Sequence, residues 1–418
     1  MGRKDMKNPM QKMLRALLIT FLCVSVLPIA GCWNRRELND VLLSLAAGLD
    51  KRGDKIEVSL QMIIPRLTGG GGAQARGGSG GGSEKVFTVR SATGVTVADA
   101  IARLQEKIPR TIFWGHMKVL IIGEELAKQG LRGELDFLTS HPQVRLRTYM
   151  FVCKGRAFEI LDVVAPLERL SAEQIRELNE FQIGMKVSIS DFTQMMKGNA
   201  AALPWIEEVP PKAGERKDKT TIRLNGTAVF DKQGKMVGRI NDEVTRGVLW
   251  LRNEIRRATV TIEPKETEGR VSLEIIAANT QLIPSIENEK WRITVKTVTK
   301  DHVVENRTKL PLMDPFVIKK LEKEAEKDLE YRIRMAVEET KRMRTDIIGF
   351  AEAFHHKYPR QWVSVKDRWD EVFPNVEVAY EPKVCICSPG MSPTPPFAEQ
   401  NEVKKKKQEL KQEEEQSK

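Results

Sequence analysis

The chain has 418 residues, 68 Lys+Arg against 57 Asp+Glu, a formal charge of +11, and five cysteines. The basic excess is moderate and dispersed, with no zinc-finger spacing and no RNP-like aromatic motif beside it, which argues against a nucleic-acid face and favours proximity to anionic lipid. The cysteines are too few for a disulfide framework, and the length exceeds what one core serves, so two or three domains are expected.

Arg3, Lys4, Lys7, Lys12 and Arg15 precede an apolar run from Ala16 to Ile29. As a helix that run would be roughly 21 Å long, short of a bilayer core of about 30 Å, so it reads as a signal segment and not a permanent span. Ile29-Ala30-Gly31-Cys32 resembles the bacterial lipobox, whose cysteine thiol takes a diacylglyceryl group after cleavage in front of it. Two acyl chains exceed the marginal hold of one. Everything from Cys32 on is then expected to work at a membrane surface outside the cytoplasm. Removing residues 1–31 takes away five bases and one acid (Asp5), a net +4, and leaves a mature chain of +7. Trp33, followed by Arg35, Arg36 and Glu37, would lie at headgroup level.

Val41–Leu49 is a continuous apolar run, a buried strand, and Lys51-Arg52-Gly53-Asp54 a turn. Ile56, Val58, Leu60, Met62 and Ile64 then alternate with Glu57, Ser59 and Gln61, predicting the half-buried second arm of a hairpin. The Gly-rich stretch Gly69–Ser83 lacks the Gly-Lys-Ser/Thr of a phosphate-binding loop and reads as a flexible insert. Val86–Arg90 is a strand, and Thr96-x-x-Asp99 a capping box for a helix that carries Val97, Ile101 and Leu104 and stops at Pro109. Lys118–Ile122 is a strand running through Gly123 into a short helix opened by Glu124 and Glu125. A strand at Val144–Val152 and a helix at Ala157–Val163 follow. Ser171-x-x-Gln174 reads as a capping box for a helix through Glu180, and Asp191–Lys197 as a further helix. These make an N-terminal α+β domain at 32–206.

The segment 207–220, rich in Pro, Lys, Glu and Gly, reads as a linker to a second α+β domain at 221–388. Strands are predicted at Arg223–Phe230, Met236–Ile240, Thr259–Ile262, Val271–Ala278, Trp291–Val298 and Val303–Glu305, with a helix at Glu243–Leu251. Asp314-Pro315 opens a charged helix expected to run from 315 to 357, with Val317, Leu321, Ala325, Leu329, Ile333 and Val337 as its apolar stripe. Trp362, Lys366, Trp369 and Phe373 lie at helical spacing between Pro359 and Pro374, and two tryptophans on one stripe indicate core. A last strand carries Cys385 and Cys387 on one face, where a disulfide would be strained. Residues 389–418, Pro-rich and then charged, read as a disordered tail. The fold class is α+β, multi-domain, with mixed sheets and a long C-terminal helix.

No catalytic set assembles from this sequence. His116 sits at a strand entry, where a structural hydrogen bond is expected; His141 precedes a proline; His302 reads as exposed; His355 and His356 point about 100° apart on a helix. There is no H-E-x-x-H, G-x-S-x-G or S-x-x-K with partners. The chain reads as a non-enzyme with no metal and no cofactor.

Several stretches together resemble one family. Gly31-Cys32-Trp33-Asn34-Arg35-Arg36-Glu37-Leu38-Asn39-Asp40 resembles the mature start of the Ger(x)C family, the C subunits of spore germinant receptors, in which a Gly-rich insert commonly follows the second strand. Phe113-Trp114-Gly115-His116 leading into Val119–Ala127, Gly226–Phe230 with Val237-Gly238, Gly247–Leu251, and Asp346–Phe350 followed by Pro359, Trp362, Trp369 and Phe373 are similar to its internal motifs, in order, over roughly residues 31 to 385. Cys385, Cys387 and the tail depart from the pattern. The resemblance implies a non-catalytic lipoprotein on the outer surface of the spore inner membrane, attached through Cys32 and working with an A subunit and a transporter-like B subunit. It marks Trp33, Glu37, Phe113, Trp114, His116, Trp250, Trp362 and Trp369 as motif or interaction residues. The competing reading, a solute-binding lipoprotein of an ABC-type importer, requires two doubly wound lobes around a cleft, and the aromatic residues (6%) cluster at no such cleft.

Overall fold

The computed structural model describes residues 9–26, 41–64, 86–164, 167–181, 184–211, 220–265 and 267–388, with positions 405, 408 and 409. Cys32, Trp33, Glu37, the Gly-rich stretch and nearly all of the expected tail lie outside the described residues. The leader contributes helix α1 (Pro9–Val26), and no described helix is long and apolar enough to cross a membrane.

The first sheet is built from β1 (Val41–Arg52), β2 (Lys55–Ile63), β3 (Phe87–Gly94), β4 (Thr111–Phe113), β5 (Val119–Gly123), β6 (Tyr149–Cys153), β7 (Ala201–Val209), β8 (Thr221–Phe230) and β9 (Met236–Ile240). Its order is β3-β2-β1-β5-β6-β7-β8-β9, with β4 beside β1. The central strands β1, β5, β6 and β7 are parallel, and hairpins flank them on both sides. Helices cover both faces. Leu120 and Ile122 of β5 join one core with helix α2 (Val97–Glu106), α3 (Glu124–Gln129) and α4 (Arg132–Ser140). Val119 and Ile121 join the other, with α5 (Ala157–Asp162) and α6 (Ser171–Glu180). A strand with apolar partners on both faces reads as an unbroken apolar run, and β5 does. Helix α7 (Ile189–Met196) follows, opened by a capping box in which Ser188 and Asp191 exchange side-chain and backbone bonds.

Helix α8 (Asp242–Leu251) joins this layer to the next. The second sheet is β10 (Thr259–Ile262), β11 (Val271–Glu287), β12 (Lys290–Asn306) and β13 (Glu377–Ser388), in that order. Strands β10 to β12 are antiparallel, and β13 returns parallel to β12 after a helical excursion. That excursion is α9 (Pro315–Arg342), α10 (Phe350–Lys357), α11 (Pro359–Val365) and α12 (Trp369–Val372). One continuous core runs from the first sheet through α8 into the second. At the junction a Cβ on Gly247 would come within 2.5 Å of the Arg332 carbonyl oxygen and 2.7 Å of Ala336 Cβ, so α8 and α9 approach closely because this residue is glycine.

Several expectations change. Strands β8 and β9, assigned by sequence to the second domain, complete the first sheet: β8 pairs antiparallel with β7 from Val209↔Thr221 to Ala201↔Phe230, so residues 207–209 of the expected linker belong to β7 and the two strands it separates are hairpin partners. The turn-forming composition was real, but it marked a reversal inside one sheet. The helix expected over 315–357 ends at Arg342. Arg344 adopts φ 56°, and Asp346 then starts α10 by accepting from the N–H groups of Gly349, Phe350 and Ala351. Strands expected at Trp291–Val298 and Val303–Glu305 are one strand, because Lys300-Asp301-His302 crosses the polar interval with a register shift against β13. The strand expected from Val144 starts at Tyr149. Ser171 does not cap its helix; its hydroxyl is buried, donating to the Leu161 carbonyl and accepting from Gln61. The polar side of β2 is not solvated either: Glu57, Ser59 and Gln61 are buried beneath α5 and α6. Neither layer forms the two doubly wound lobes of a solute-binding protein.

Candidate functional site

The parallel strands give the first sheet two chemically different ends. At the end where β1 finishes, the two buried acids are both held by partners. Asp50 is buried and accepts from the backbone N–H groups of Ala157 (2.7 Å) and Phe158 (3.0 Å) at the start of α5. Burial pushes its carboxyl above the usual range despite those donors. Next to it, Glu57 accepts from Arg156 (2.7 Å), Arg52 (3.0 Å) and Ser91 (2.8 Å). Burial works to raise Glu57, but the Ser91 and Arg156 hydrogen bonds and the two guanidinium charges outweigh it and hold the acid below its ordinary value.

The opposite end is where β1, β5 and β6 begin. A row of backbone bonds fixes it, from Lys118 N–H to the Leu45 carbonyl and from Tyr149 N–H to the Lys118 carbonyl. Strand β4 pairs Thr111, Ile112 and Phe113 in parallel register with Val41, Leu42 and Leu43, the first residues of β1. The chain then turns through a short 3₁₀ segment at Trp114–His116. Trp114 is buried and meets the ring of His141, while His116 is exposed and meets Phe113 edge-on at 5.6 Å. The Phe113–His116 motif thus holds the start of β1, and His116 makes a ring contact there in place of the expected hydrogen bond.

Beside this end a turn at Arg145–Thr148 is bonded to the start of α7 through Ser190 N–H and the Leu146 carbonyl. It borders a cleft of about 400 Å³ lined by Arg147, Tyr149, Lys186, Asp191, Glu254 and Arg256. Arg256 arrives from the turn after α8, where Asn253 adopts φ 60° and its side chain bonds both backbone groups of Thr280. The acids here are occupied: Glu180 by Lys186 (2.6 Å) and the Tyr149 hydroxyl (2.9 Å), Asp191 by Ser188, Glu254 by Arg252 (2.7 Å). The Lys186 hydrogen bond holds Glu180 below its ordinary value and, in return, raises Lys186. Arg145, Arg147 and Arg256 are exposed and have no ion pair with any described residue.

The remaining motif residues among those described are buried. Trp250 is buried in α8 at the junction. Trp362, Trp369 and Phe373 lie in the core, as their spacing indicated, although the helix is broken into α11, a 3₁₀ turn and α12. Trp369 donates from Nε1 to Asp346 at 2.9 Å, and with the three backbone N–H groups this buried carboxylate has four donors. Burial still leaves Asp346 above the usual range. Asp301 lies in a small cavity beneath Trp250, and burial pushes it up to about 6. Cys385 and Cys387 are exposed free thiols on one face of β13. Among the described residues no three His, Cys, Asp or Glu side chains converge as a metal site.

Two family models match along the chain: the spore germination protein N-terminal domain over residues 34–208, and the spore germination B3/GerAC-like C-terminal domain over residues 225–390. The chain belongs to the Ger(x)C family. Spore germination protein KC of Bacillus subtilis strain 168 is 28% identical over 401 residues, covering 91% of this chain and 97% of the relative. Putative spore germination protein YfkR of the same strain is 29% identical over 388 residues, covering 92% and 98%. The crystal structure of the GerBC protein shares the fold, with a TM-score of 0.55 at 17% identity over 82% of this chain and 96% of that one. The two Ger(x)C models meet at the β7–β8 hairpin, which in this chain is continuous sheet. What sequence reasoning missed is the arginine-lined end: Arg147 and Arg256 are 109 positions apart, and neither belongs to a motif.

Proposed function

We propose that this protein is the non-catalytic C subunit of a spore germinant receptor, tethered through a diacylglyceryl group on Cys32 to the outer surface of the spore inner membrane, where it binds the receptor's A and B subunits. The observation that carries this reading is the extent of the family match. It starts at Asn34, two residues beyond Cys32, and continues through both sheets to residue 390. The body behind the lipobox is therefore a germination-family body throughout. Trp114, Trp250, Trp362 and Trp369 are used in packing, as are the buried carboxylates Asp50 and Asp346, which suits a scaffold.

The test is Cys32→Ala in spores. The variant is expected to leave the membrane fraction and to abolish the response to nutrients. A normal response from spores whose protein is unanchored would contradict the anchoring role. The solute-binding alternative is checked by melting the protein with amino acids and sugars: a ligand-specific shift of several degrees would favour it, and none is expected.

A further inference from the structure

We infer that the end of the first sheet where β1 begins is a docking surface for anionic lipid, with Arg145, Arg147 and Arg256 meeting the headgroups. The inference deepens the proposed function and rests on its reading of Cys32 as an anchor.

The tether decides which end faces the bilayer. Nine peptide units separate Cys32 from Val41, and fully extended they reach at most about 31 Å. Strand β1 runs from Val41 to Arg52, a length of roughly 36 Å at about 3.3 Å per residue. If the far end of the sheet lay on the membrane, Val41 would stand beyond the reach of its own tether. The end where β1 begins meets no such limit.

The chemistry of that end fits a negatively charged surface. Arg145, Arg147 and Arg256 are exposed with no described ion pair, whereas Glu180, Asp191 and Glu254 beside them are held by Lys186, Ser188 and Arg252. Leu146, between two of the arginines, is 43% exposed, an apolar side chain placed to enter the interface. The cleft behind them, about 400 Å³, has room for a headgroup. An acidic protein could use the same charges, but the tether keeps Val41 within about 31 Å of the lipid whether or not a protein is present.

The experiment uses the mature chain, residues 32–418 with Cys32→Ala, so that neither acylation nor the apolar leader masks the contact. Flotation is measured with vesicles of phosphatidylcholine, and with an equal mixture of phosphatidylcholine and phosphatidylglycerol. Two charge-matched variants are compared, R147E/R256E at this end and K55E/K154E at the other. R147E/R256E is expected to lose about tenfold in affinity for the anionic vesicles, with binding to phosphatidylcholine unchanged, while K55E/K154E stays within about twofold. R147K/R256K, which preserves charge and fold, is expected to keep the affinity. Equal losses in both reversal variants, or an undiminished R147E/R256E, would overturn the inference. So would a reversal that spares vesicle binding but abolishes co-purification of a membrane protein, which would assign the face to that protein. An unmodified Cys32 found by mass spectrometry would instead remove the anchor and leave the flotation result standing, so the two failures are distinguishable.

Discussion

The two ends of the first sheet carry similar residue types and treat them differently. Where β1 finishes, Glu57 has three donors, Asp50 has two, and Arg156 is drawn inward to meet Glu57. Where β1 begins, Arg145 and Arg147 point outward with no described ion pair while the acids around them are bonded elsewhere. Burying a charge without a partner is costly, so the first arrangement is what a fold needs to close α5 over the sheet. The second does nothing for folding that a neutral surface would not do. The difference separates the buried, partnered charges of Glu57 and Asp50, which the structure needs, from the exposed arginines, which it does not.

Substitution can break this contrast in graded steps. The largest loss is expected where the satisfied arrangement is most complete, at Asp346. Asp346→Ala leaves three backbone N–H groups and the Trp369 Nε1–H buried without an acceptor, and should cost about 4 kcal/mol in chemical denaturation. Asp50→Ala removes the acceptor at the start of α5, and about 3 kcal/mol is expected. Glu57→Gln keeps the shape but loses the charge facing Arg156 and Arg52, with an expected loss of about 2 kcal/mol at neutral pH.

Glu57 also gives the contrast a pH signature. Its acid is held below its ordinary value in the folded protein, so its stabilisation is present above the unfolded value of about 4.5 and disappears as pH falls through the folded value. The stability gap between the wild type and Glu57→Gln should therefore narrow in acid, and a gap that stays constant would refute the assignment. At the other end, Arg147→Glu and Arg256→Glu are expected to change stability by less than about 0.5 kcal/mol each. A large destabilisation there would show that these arginines serve the fold after all, and the contrast would collapse.

How much of this was legible in the sequence depended on range. The apolar run in Lys118–Ile122 declared a strand, and Trp362, Trp369 and Phe373 declared a core stripe, because both signals are local. Thr96 capped its helix as its spacing indicated, accepting from Asp99 N–H. Ser171 offered the same spacing, but its hydroxyl was claimed by Gln61, 110 residues away. Glu57, Ser59 and Gln61 read as a solvated face because alternation says which residues share a side and not what covers it. Helices α5 and α6, encoded a hundred residues later, supplied the cover. The expected linker falls where the two family models meet, yet β7 and β8 pair across it, since turn-forming residues look alike whether they end a domain or reverse a strand. The arginine-lined end carried no sequence signal, because its parts come from the β6 approach and the turn after α8 and meet only in the fold.

The central claim is that the protein is anchored with the β1 start toward the bilayer. It is tested most directly by reconstituting the acylated protein, in a Cys385→Ser/Cys387→Ser background, into vesicles containing a lipid-borne quencher. A fluorophore is attached in turn at Leu146→Cys and at Asp54→Cys, at opposite ends of the sheet. Strong quenching at position 146 with little at position 54 is the predicted result. Equal quenching at both positions, or stronger quenching at 54, would contradict it.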